Sequence, residues 1–359
     1  MNIRELRQSQ FVDDWIFGGR NGILLLAPRF GKTRVAVNIL KEYSRDIKVL
    51  IAYPETKIKK SWMNEFEIME YNPKNITFTT HVSLYKHINE KFDIVILDEI
   101  HTLSERQMEA CKSLQTSCKS FLGLTGTLSE QTAKTLRYKL RMHVIASYSM
   151  EQSINEGVLP DYEINVVKVA LDNKKLKLYK GKMRTEKQRF DNIMWVINKE
   201  EDREFPNFYL RLKLIEVLQN SIAKRDKTIE LIRQFNDERL LVFCGRTNIA
   251  DSLGIPSYHS KSKEKELFEE FLSGKEKHLA VVRIGNAGVT FTPLSKVIIN
   301  YFDSDEEKMT QKVNRAMSME YDTPDKKAII YIITSNEEKE LAWLKKALRM
   351  FSSDKIKYI

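Results

Sequence analysis

The stretch LLLAPRFGKTRVA, residues 24–36, decides the fold class of this 359-residue chain. An apolar run that suits a buried strand leads into a short turn, and a helix-forming segment opens at Gly31-Lys32-Thr33. A strand–loop–helix unit of this kind directs backbone N–H groups and the positive end of a helix at an anion. The pattern predicts a phosphate-binding loop in which Lys32 reaches the terminal phosphates and the Thr33 hydroxyl holds magnesium.

The loop departs from the full G-x-x-x-x-G-K-T spacing at two positions. Leu26 stands where the first glycine would be, and Arg29 replaces an inner glycine that is common in such loops. A GKT tripeptide alone has little specificity, so the prediction depends on a second motif. The loop residues assigned to nucleotide binding are Pro28, Arg29, Phe30, Gly31, Lys32, Thr33 and Arg34.

The second motif is DIVILDEIH, residues 93–101, an apolar strand that ends in two adjacent carboxylates. The sequence predicts that Asp98 binds magnesium, usually through water, and that Glu99 orients and deprotonates the attacking water. His101 follows two residues later and is a candidate for reporting nucleotide state to another domain. The alternative is that this acidic pair only caps the next helix. The GKT loop upstream favours the catalytic role over the capping role.

Short apolar runs alternate with amphipathic segments in both halves of the chain, which predicts an α/β fold of parallel βα units with both sheet faces covered. The length suggests two domains, and Gly157 and Pro160 place their junction near residues 157–162. A closing helix over residues 336–350, with Ser335 as N-cap, is also predicted. The predicted strands are 23–27, 48–53, 76–79, 92–97, 120–124, 165–170, 240–244, 279–282, 297–300 and 328–333.

Composition narrows the functional classes. There are 59 Lys and Arg against 49 Asp and Glu, a net charge of +10, which favours a polyanionic partner. The 3 cysteines make neither a disulfide framework nor a zinc pattern. No apolar run approaches the roughly 18 residues that span a bilayer. These features exclude secreted, membrane-spanning, disulfide-stapled and disordered classes, and they predict a cytoplasmic enzyme.

Six further motifs lie along the chain: LRQSQ (6–10), YPETKIKKSW (53–62), LTGT (124–127), LVFCGRT (241–247), RIGNAGVTFTPL (283–294) and QKVNRAMS (311–318). This ordered set resembles the superfamily-two helicases and translocases. The likeness is to their DEAH-like branch, which includes chromatin remodellers, type III restriction motors and phage repair helicases. Each motif is weak alone, but their order and spacing are specific and extend over nearly the whole chain.

The resemblance implies two tandem RecA-like domains, residues 1–158 and 159–359, with an ATP cleft between them. It also implies ATP and magnesium as ligands and a nucleic-acid partner, with single-stranded or forked DNA favoured and RNA left open. The compact size resembles a phage-type enzyme acting in the host cytoplasm, and a monomer is expected.

The resemblance also assigns roles to individual residues. Gln10, with Arg7, reads adenine, while Gln311 and Arg315 complete the catalytic set of Lys32, Asp98 and Glu99 across the cleft. Two of the residues expected to contact nucleic acid have an alternative role: Trp62 is favoured as a packing residue, and His81 could be an ordinary surface residue. The expected nucleic-acid contacts are Thr56, Lys57, Lys60, Trp62, Thr80, His81, Arg246, Thr247, Asn286 and Thr290.

Two features leave alternatives open. Ser318 stands where the family has a second arginine, so Arg315 serves alone, Lys312 or Arg283 substitutes, or turnover is slow. Residues 174–189 carry eight basic residues and a single acid. They predict a basic helical insertion over about 171–213 that is either a solvated face or a phosphate contact. The alternative functions are a duplex translocase without unwinding and an ATP-gated binding protein with weak turnover.

Overall fold

The computed structural model describes residues 2–179, 181–199, 208–262, 266–282, 294, 296–317 and 327–359. Within these residues the chain forms two compact units, one ending at Leu159 and the other beginning at Pro160. This division lies one residue from the predicted 158/159 junction. In the described part of the chain, no helix has the length and apolar character needed to cross a bilayer.

The first unit is built on a six-stranded parallel sheet in the order β3-β2-β4-β5-β1-β6. Its central strands are almost entirely buried because helices cover both faces. The carboxyl ends of β1, β4 and β5 therefore meet at one edge, where ligands bind in sheets of this type. The strands are β1 (Asn21–Leu26), β2 (Lys48–Tyr53), β3 (Asn75–Thr80), β4 (Ile94–Asp98), β5 (Ser120–Thr125) and β6 (Val144–Tyr148).

Helices connect these strands, and several begin at capping residues that the sequence supplies. Asn2 and Glu5 form a capping box at the start of the first helix, and Ser104 and Gln107 form another. The helices are α1 (Ile3–Phe17), α2 (Lys32–Lys41), α3 (Ile58–Ile68), α4 (Glu105–Ser117), α5 (Glu130–Leu140) and α6 (Met150–Asn155), with 3-10 helices at His81–His87 and Ile100–Thr102.

The second unit contains a seven-stranded parallel sheet in the order β11-β12-β10-β13-β14-β7-β15, together with a separate two-stranded hairpin. The strands are β7 (Tyr162–Val169), β8 (Lys177–Tyr179), β9 (Lys182–Arg184), β10 (Leu240–Cys244), β11 (Ser257–Tyr258), β12 (His278–Val282), β13 (Lys296–Ile299), β14 (Ala328–Ser335) and β15 (Ile356–Tyr358). The helices are α7 (Glu186–Lys199), α8 (Phe208–Gln219), α9 (Ile222–Gln234), α10 (Thr247–Asp251), α11 (Glu266–Ser273), α12 (Glu306–Val313) and α13 (Glu338–Ala347), and a 3-10 helix spans Ser353–Lys355.

The predicted fold class is confirmed, since both units are mostly parallel α/β sheets of the tandem RecA-like type. All ten predicted strands are present. The sequence missed β6, β8, β9, β11 and β15, because β6 is only partly buried and the others have two or three residues. Such short or half-exposed strands lack a clear hydrophobic period.

The structure corrects two element predictions. The basic segment begins as the hairpin β8–β9 rather than as a helix, because Asp172 accepts hydrogen bonds from the N–H groups of Lys174 and Lys175 and Gly181 turns with φ 76°. The closing helix begins at Glu338 with Glu337 as N-cap. Ser335 is instead the last residue of β14.

Candidate nucleotide site and nucleic-acid contacts

The loop between β1 and α2 has the backbone that the GKT motif predicts. Gly31, the N-cap of α2, has φ 103°, and a Cβ at this position would lie 2.6 Å from the Nε2 atom of Gln8. Glycine is therefore required here, both for the left-handed conformation and for the close approach. Arg29 also has a positive φ of 67°, which is uncommon for a residue with a side chain.

Helix α1 anchors the loop. The buried side chain of Gln8 donates a hydrogen bond from Nε2 to the main-chain oxygen of Phe30, at 3.0 Å. The Phe30 ring is fully buried, with its centroid 5.6 Å from that of Phe11 and 4.7 Å from that of Tyr148. The sequence analysis did not identify Gln8. A signal was present, because Gln8, Phe11 and Trp15 share the buried face of α1.

Arg7 and Gln10 border a pocket of about 380 Å³ that is lined by residues of α1, β6 and the α6 region. The Nη1 atom of Arg7 donates to Oε1 of Gln10 at 2.9 Å, and its Nη2 atom donates to Glu156 at 2.5 Å. Phe11 and Tyr148 line the same pocket and also contact Phe30 of the loop. The two residues expected to read adenine therefore lie in the unit that carries the loop, at a pocket of which two lining residues, Phe11 and Tyr148, contact Phe30 of the loop.

Asp98 ends β4, and its carboxylate is buried. Its Oδ2 atom accepts a hydrogen bond of 3.0 Å from the indole Nε1 of Trp62, a partner that the sequence analysis did not identify. Burial and the neighbouring charge of Glu99 raise the pKa of Asp98 to about 6, although Lys32 and Trp62 favour its ionised form.

Glu99 follows with a left-handed backbone, φ 52°. Its Oε1 atom lies 2.8 Å from Nζ of Lys32, and its Oε2 atom lies 3.4 Å from Nδ1 of His101. Burial opposes ionisation of this carboxyl, but the charges of Lys32 and His101 outweigh burial and hold its pKa below the usual value. The loop lysine and both carboxylates are thus assembled at one edge of one sheet.

A hydrogen-bonded chain joins the DEIH and LTGT motifs. The Nδ1 atom of the buried His101 lies 2.7 Å from Oγ1 of Thr125, and that hydroxyl donates to the main-chain oxygen of Thr127 at 2.6 Å. Because a hydroxyl carries one proton, His101 is the donor in its contact with Thr125. Position 126 is closely packed as well, since a Cβ there would lie 3.0 Å from Nζ of Lys32.

The donor set fits a nucleotide with magnesium. The Nη2 atom of Arg29 is buried without a hydrogen-bond partner among the described residues, and burial lowers the pKa of this side chain to about 10. An anion at the loop would supply the missing partner. The Thr33 hydroxyl and the Asp98 carboxylate are the hard oxygen donors that magnesium takes together with waters and phosphate oxygens. No group of three or more His, Cys, Asp or Glu side chains in the described chain would hold a metal by itself.

The side chain of Arg34, expected at the nucleotide, is paired with α3. Its Nε atom donates to Oε1 of Glu65 at 2.6 Å. The main-chain N–H of Arg34 lies in the first turn of α2, where N–H groups can contact a phosphate.

The expected nucleic-acid contacts of the first unit divide by exposure. Thr56, Lys57 and Lys60 are exposed at the start of α3, and Thr80 is half-buried at the end of β3. Trp62 is fully buried and His81 is 3% exposed, so neither side chain is available to a bound strand. Both assignments to nucleic acid are corrected: Trp62 packs and orients Asp98, and the imidazole of His81 faces the interior.

In the second unit, Arg246 is exposed and Thr247 opens α10. Gln311 lies in α12 and Arg315 lies just after it, with 8% of Arg315 exposed. Lys312 is directed inward: its Nζ donates to the main-chain oxygen of Tyr301 at 2.9 Å, and burial lowers its pKa to about 8. This position argues against Lys312 as the substitute for the missing arginine. The expected residues Asn286, Thr290, Arg283 and Ser318 lie outside the described residues.

A phosphate-binding loop, a paired-carboxylate strand end and two RecA-like sheets define a helicase-type ATPase. Residues 2–130 match the family described as type III restriction enzyme, res subunit. The chain is 23% identical over 366 residues to the DNA 3'-5' translocase XPB2 of Sulfurisphaera tokodaii, covering 92% of this chain and 82% of that protein.

Two solved structures share the fold. The Hef helicase domain of Pyrococcus furiosus has a TM-score of 0.55 at 11% identity and covers 97% of this chain and 98% of its own. A single-residue variant of Saccharomyces cerevisiae Dbp5, bound to RNA and ADP BeF3, has a TM-score of 0.62 at 10% identity and covers 98% of this chain and 88% of its own. In its ordered motifs, in this family match and in its fold, the chain is similar to the superfamily-two helicases and translocases.

Proposed function

We propose that the protein hydrolyses ATP to move along DNA as a helicase or translocase. The observation that carries the proposal is the assembly of Lys32, Asp98 and Glu99 at the edge of one sheet, with Lys32 and Glu99 2.8 Å apart. Phosphoryl transfer needs positioning and neutralised charge more than covalent chemistry, and these groups supply both.

Each residue has a definite part in the proposed reaction. The main-chain N–H groups of residues 29–33 and the Lys32 ammonium bind the phosphates, and Glu99 orients a water and accepts its proton on the carboxylate. Thr33 and Asp98 would hold magnesium, which neutralises phosphate charge when bound. Gln10 and Arg7 are proposed for adenine, while Gln8 fixes the loop. Gln311 and Arg315 are proposed as the contribution of the second unit.

DNA is the proposed track. The relative from Sulfurisphaera tokodaii is named a DNA 3'-5' translocase, and the exposed Thr56, Lys57 and Lys60 form a basic helix start on the first unit. Arg246 and Thr247 are proposed from the second unit. We further propose that residues 286 and 290 contact the DNA. The proposed substrate is single-stranded or forked DNA, and the proposed active form is a monomer.

The basic hairpin β8–β9 is proposed as a further phosphate contact. Lys177 pairs with Arg184 and Tyr179 pairs with Lys182 across the two strands, so a basic and aromatic face lies opposite the apolar pair Leu178 and Met183. The guanidinium of Arg189 lies 4.1 Å from the Tyr179 ring centroid, which fixes that ring. This arrangement favours phosphate contact over a plain solvated face.

Translocation on duplex DNA without unwinding is the second candidate, because the relative from Sulfurisphaera tokodaii is named a translocase. An ATPase titration with single-stranded DNA, duplex DNA, forked DNA and RNA in parallel tests the track. Strand displacement measured beside triplex displacement separates unwinding from translocation.

Lys32→Ala is the loss-of-function variant for this test, and Lys41→Ala is its matched control, because Lys41 lies at the opposite end of the same helix and donates its hydrogen bond to the main-chain oxygen of Met69. We expect a loss of about a hundredfold or more in kcat for Lys32→Ala and none for Lys41→Ala. Wild-type protein without nucleic-acid-stimulated ATPase above Lys32→Ala would contradict the proposal.

A further inference from the structure

His81 lies between a surface that faces solvent and the catalytic edge of the first unit. It opens the 3-10 helix His81–His87 directly after β3. On the outer side of this helix, Val82 is 69% exposed and Tyr85 is 53% exposed, and Thr80 precedes it. The imidazole, by contrast, is 3% exposed. One short segment therefore presents apolar and aromatic groups outward and a single polar ring inward.

The inward contacts of the ring lead to the carboxylate motif. The Nδ1 atom of His81 lies 3.2 Å from Oγ1 of Thr102, and the ring lies beside the main-chain oxygens of Ala52 and Asp98. Its Nε2 atom makes no well-aligned hydrogen bond to a described residue, so the side-chain contact of the ring is the one between Nδ1 and Thr102. His81 thus touches the ends of β2 and β4 and the 3-10 helix that follows Glu99.

Thr102 holds the backbone of Glu99. Both Oγ1 and the main-chain N–H of Thr102 donate to the main-chain oxygen of Glu99, at 2.9 and 3.0 Å. The Oγ1 atom of Thr102 therefore joins the Nδ1 atom of His81 to the main-chain oxygen of Glu99, and the tautomer of His81 sets which of the two side chains donates in their contact. The order of the contacts is His81 to Thr102 to Glu99.

Glu99 needs such support. Its φ of 52° lies in the left-handed region, which residues with a Cβ rarely adopt unless the surroundings enforce it. The side-chain direction of a residue follows its backbone, so the orientation of the Glu99 carboxylate depends on the hydrogen bonds at its main-chain oxygen. Loss of the His81 contact leaves Thr102 free to rotate its hydroxyl away from that oxygen.

We propose that His81 is a positioning residue that holds the orientation of Glu99 through Thr102. The imidazole fixes the Thr102 hydroxyl, and Thr102 fixes the backbone of Glu99. This inference rests on the proposed function, in which Glu99 is the catalytic base. All three residues lie in the first unit.

Three variants isolate the hydrogen bond from the shape of the ring. His81→Leu keeps much of the volume and removes the hydrogen-bonding group, His81→Asn keeps an amide that can donate or accept near the position of Nδ1, and Thr102→Val removes the hydroxyl. His87→Leu is the matched control, because His87 lies on the same 3-10 helix but pairs with Glu90 at 2.8 Å instead. Circular dichroism melts check that each variant is folded.

We expect His81→Leu to lower the DNA-stimulated kcat about tenfold while the Kd for DNA stays unchanged. His81→Asn should recover most of that rate, Thr102→Val should match His81→Leu, and the double variant should be no worse than either single one. His87→Leu should behave as wild type. If His81→Leu does not fold, the pair Thr102→Val and His81→Asn decides the matter.

Two outcomes overturn the inference while leaving the proposed function intact. The first is equal loss in His81→Leu and His81→Asn, which would show that only the shape of the ring matters. The second is a loss of DNA affinity that accounts for the loss of rate, which would make His81 part of the binding surface. Wild-type protein that DNA does not stimulate would instead overturn both proposals together.

Discussion

Trp62→Phe tests whether the indole of Trp62 controls the magnesium-binding carboxylate. Trp62 is fully buried, and its Nε1 atom donates to Oδ2 of Asp98 at 3.0 Å. The phenylalanine keeps the aromatic packing and removes this donor. A hydrogen bond to a charged group contributes about 1.5–3 kcal/mol, so its loss destabilises the ionised carboxylate by that amount.

The same free energy predicts a pKa shift. The pKa of Asp98 is already raised to about 6 by burial and by Glu99, and the Trp62 donor lowers it. Since one pKa unit corresponds to about 1.4 kcal/mol, removing the donor raises the pKa by about one to two further units. At pH 7 a larger fraction of Asp98 is then protonated, and a protonated carboxyl binds magnesium poorly.

The assay is the magnesium dependence of the ATPase rate between pH 6 and pH 9. For Trp62→Phe we expect the half-activating magnesium concentration at pH 7 to rise about tenfold. The acid limb of the pH–rate profile should move to higher pH by about one to two units, and the ATPase rate should recover near pH 9. Trp15→Phe is the matched control, because Trp15 is also fully buried and its Nε1 atom has no hydrogen-bond partner among the described residues. Equal magnesium and pH dependence in the two variants would refute the role of the indole.

Three further predictions concern binding and stability. Replacing Lys57 and Lys60 with Ala should reduce the slope of log K against log salt by about 1.4–1.8 on DNA if both contact phosphates, and an unchanged slope in a fluorescence anisotropy titration argues against contact. Glu340→Gln should lower the free energy of unfolding by about 3–5 kcal/mol in urea, because it strips a fully buried Lys224 of its ion-pair partner; a loss below 1 kcal/mol would contradict this. Burial lowers the pKa of His81 to about 4, so the folded state binds fewer protons than the unfolded state below about pH 6.5. The free energy of unfolding should therefore fall by about 3 kcal/mol between pH 6.5 and pH 4. In parallel urea titrations, the free energy of unfolding of His81→Asn should fall by less over the same range.

The sequence predicted the fold class well because its signals are local. Apolar runs such as those of β4 and β5 mark strands buried on both faces, and the GKT tripeptide marks a strand–loop–helix turn. Strands with little burial escaped this reading, and β6 is one of them. The basic hairpin was taken for a helix, because a high charge density does not distinguish the two structures.

The sequence could not predict which side chains on different strands and helices contact one another. Trp62 and Asp98 are 36 residues apart, yet they meet because β2 and β4 are neighbours and α3 packs above them. His81 is a second example. The order of the motifs predicted that its side chain contacts nucleic acid, but in the fold this side chain is buried. Gln8 and Gln10 differ by two positions on α1, and only the packing of that helix shows which one holds the loop.

Residue types and their order along the chain determine which chemistry is available: a lysine and a threonine at a helix start, two carboxylates at a strand end, and cations in excess. The tertiary structure alone decides which of these groups meet. Hydrogen bonds and charges act over a few ångströms, and distances of that size between residues remote in sequence are set by strand order and helix packing. The link from His81 through Thr102 to Glu99 exists only for that reason.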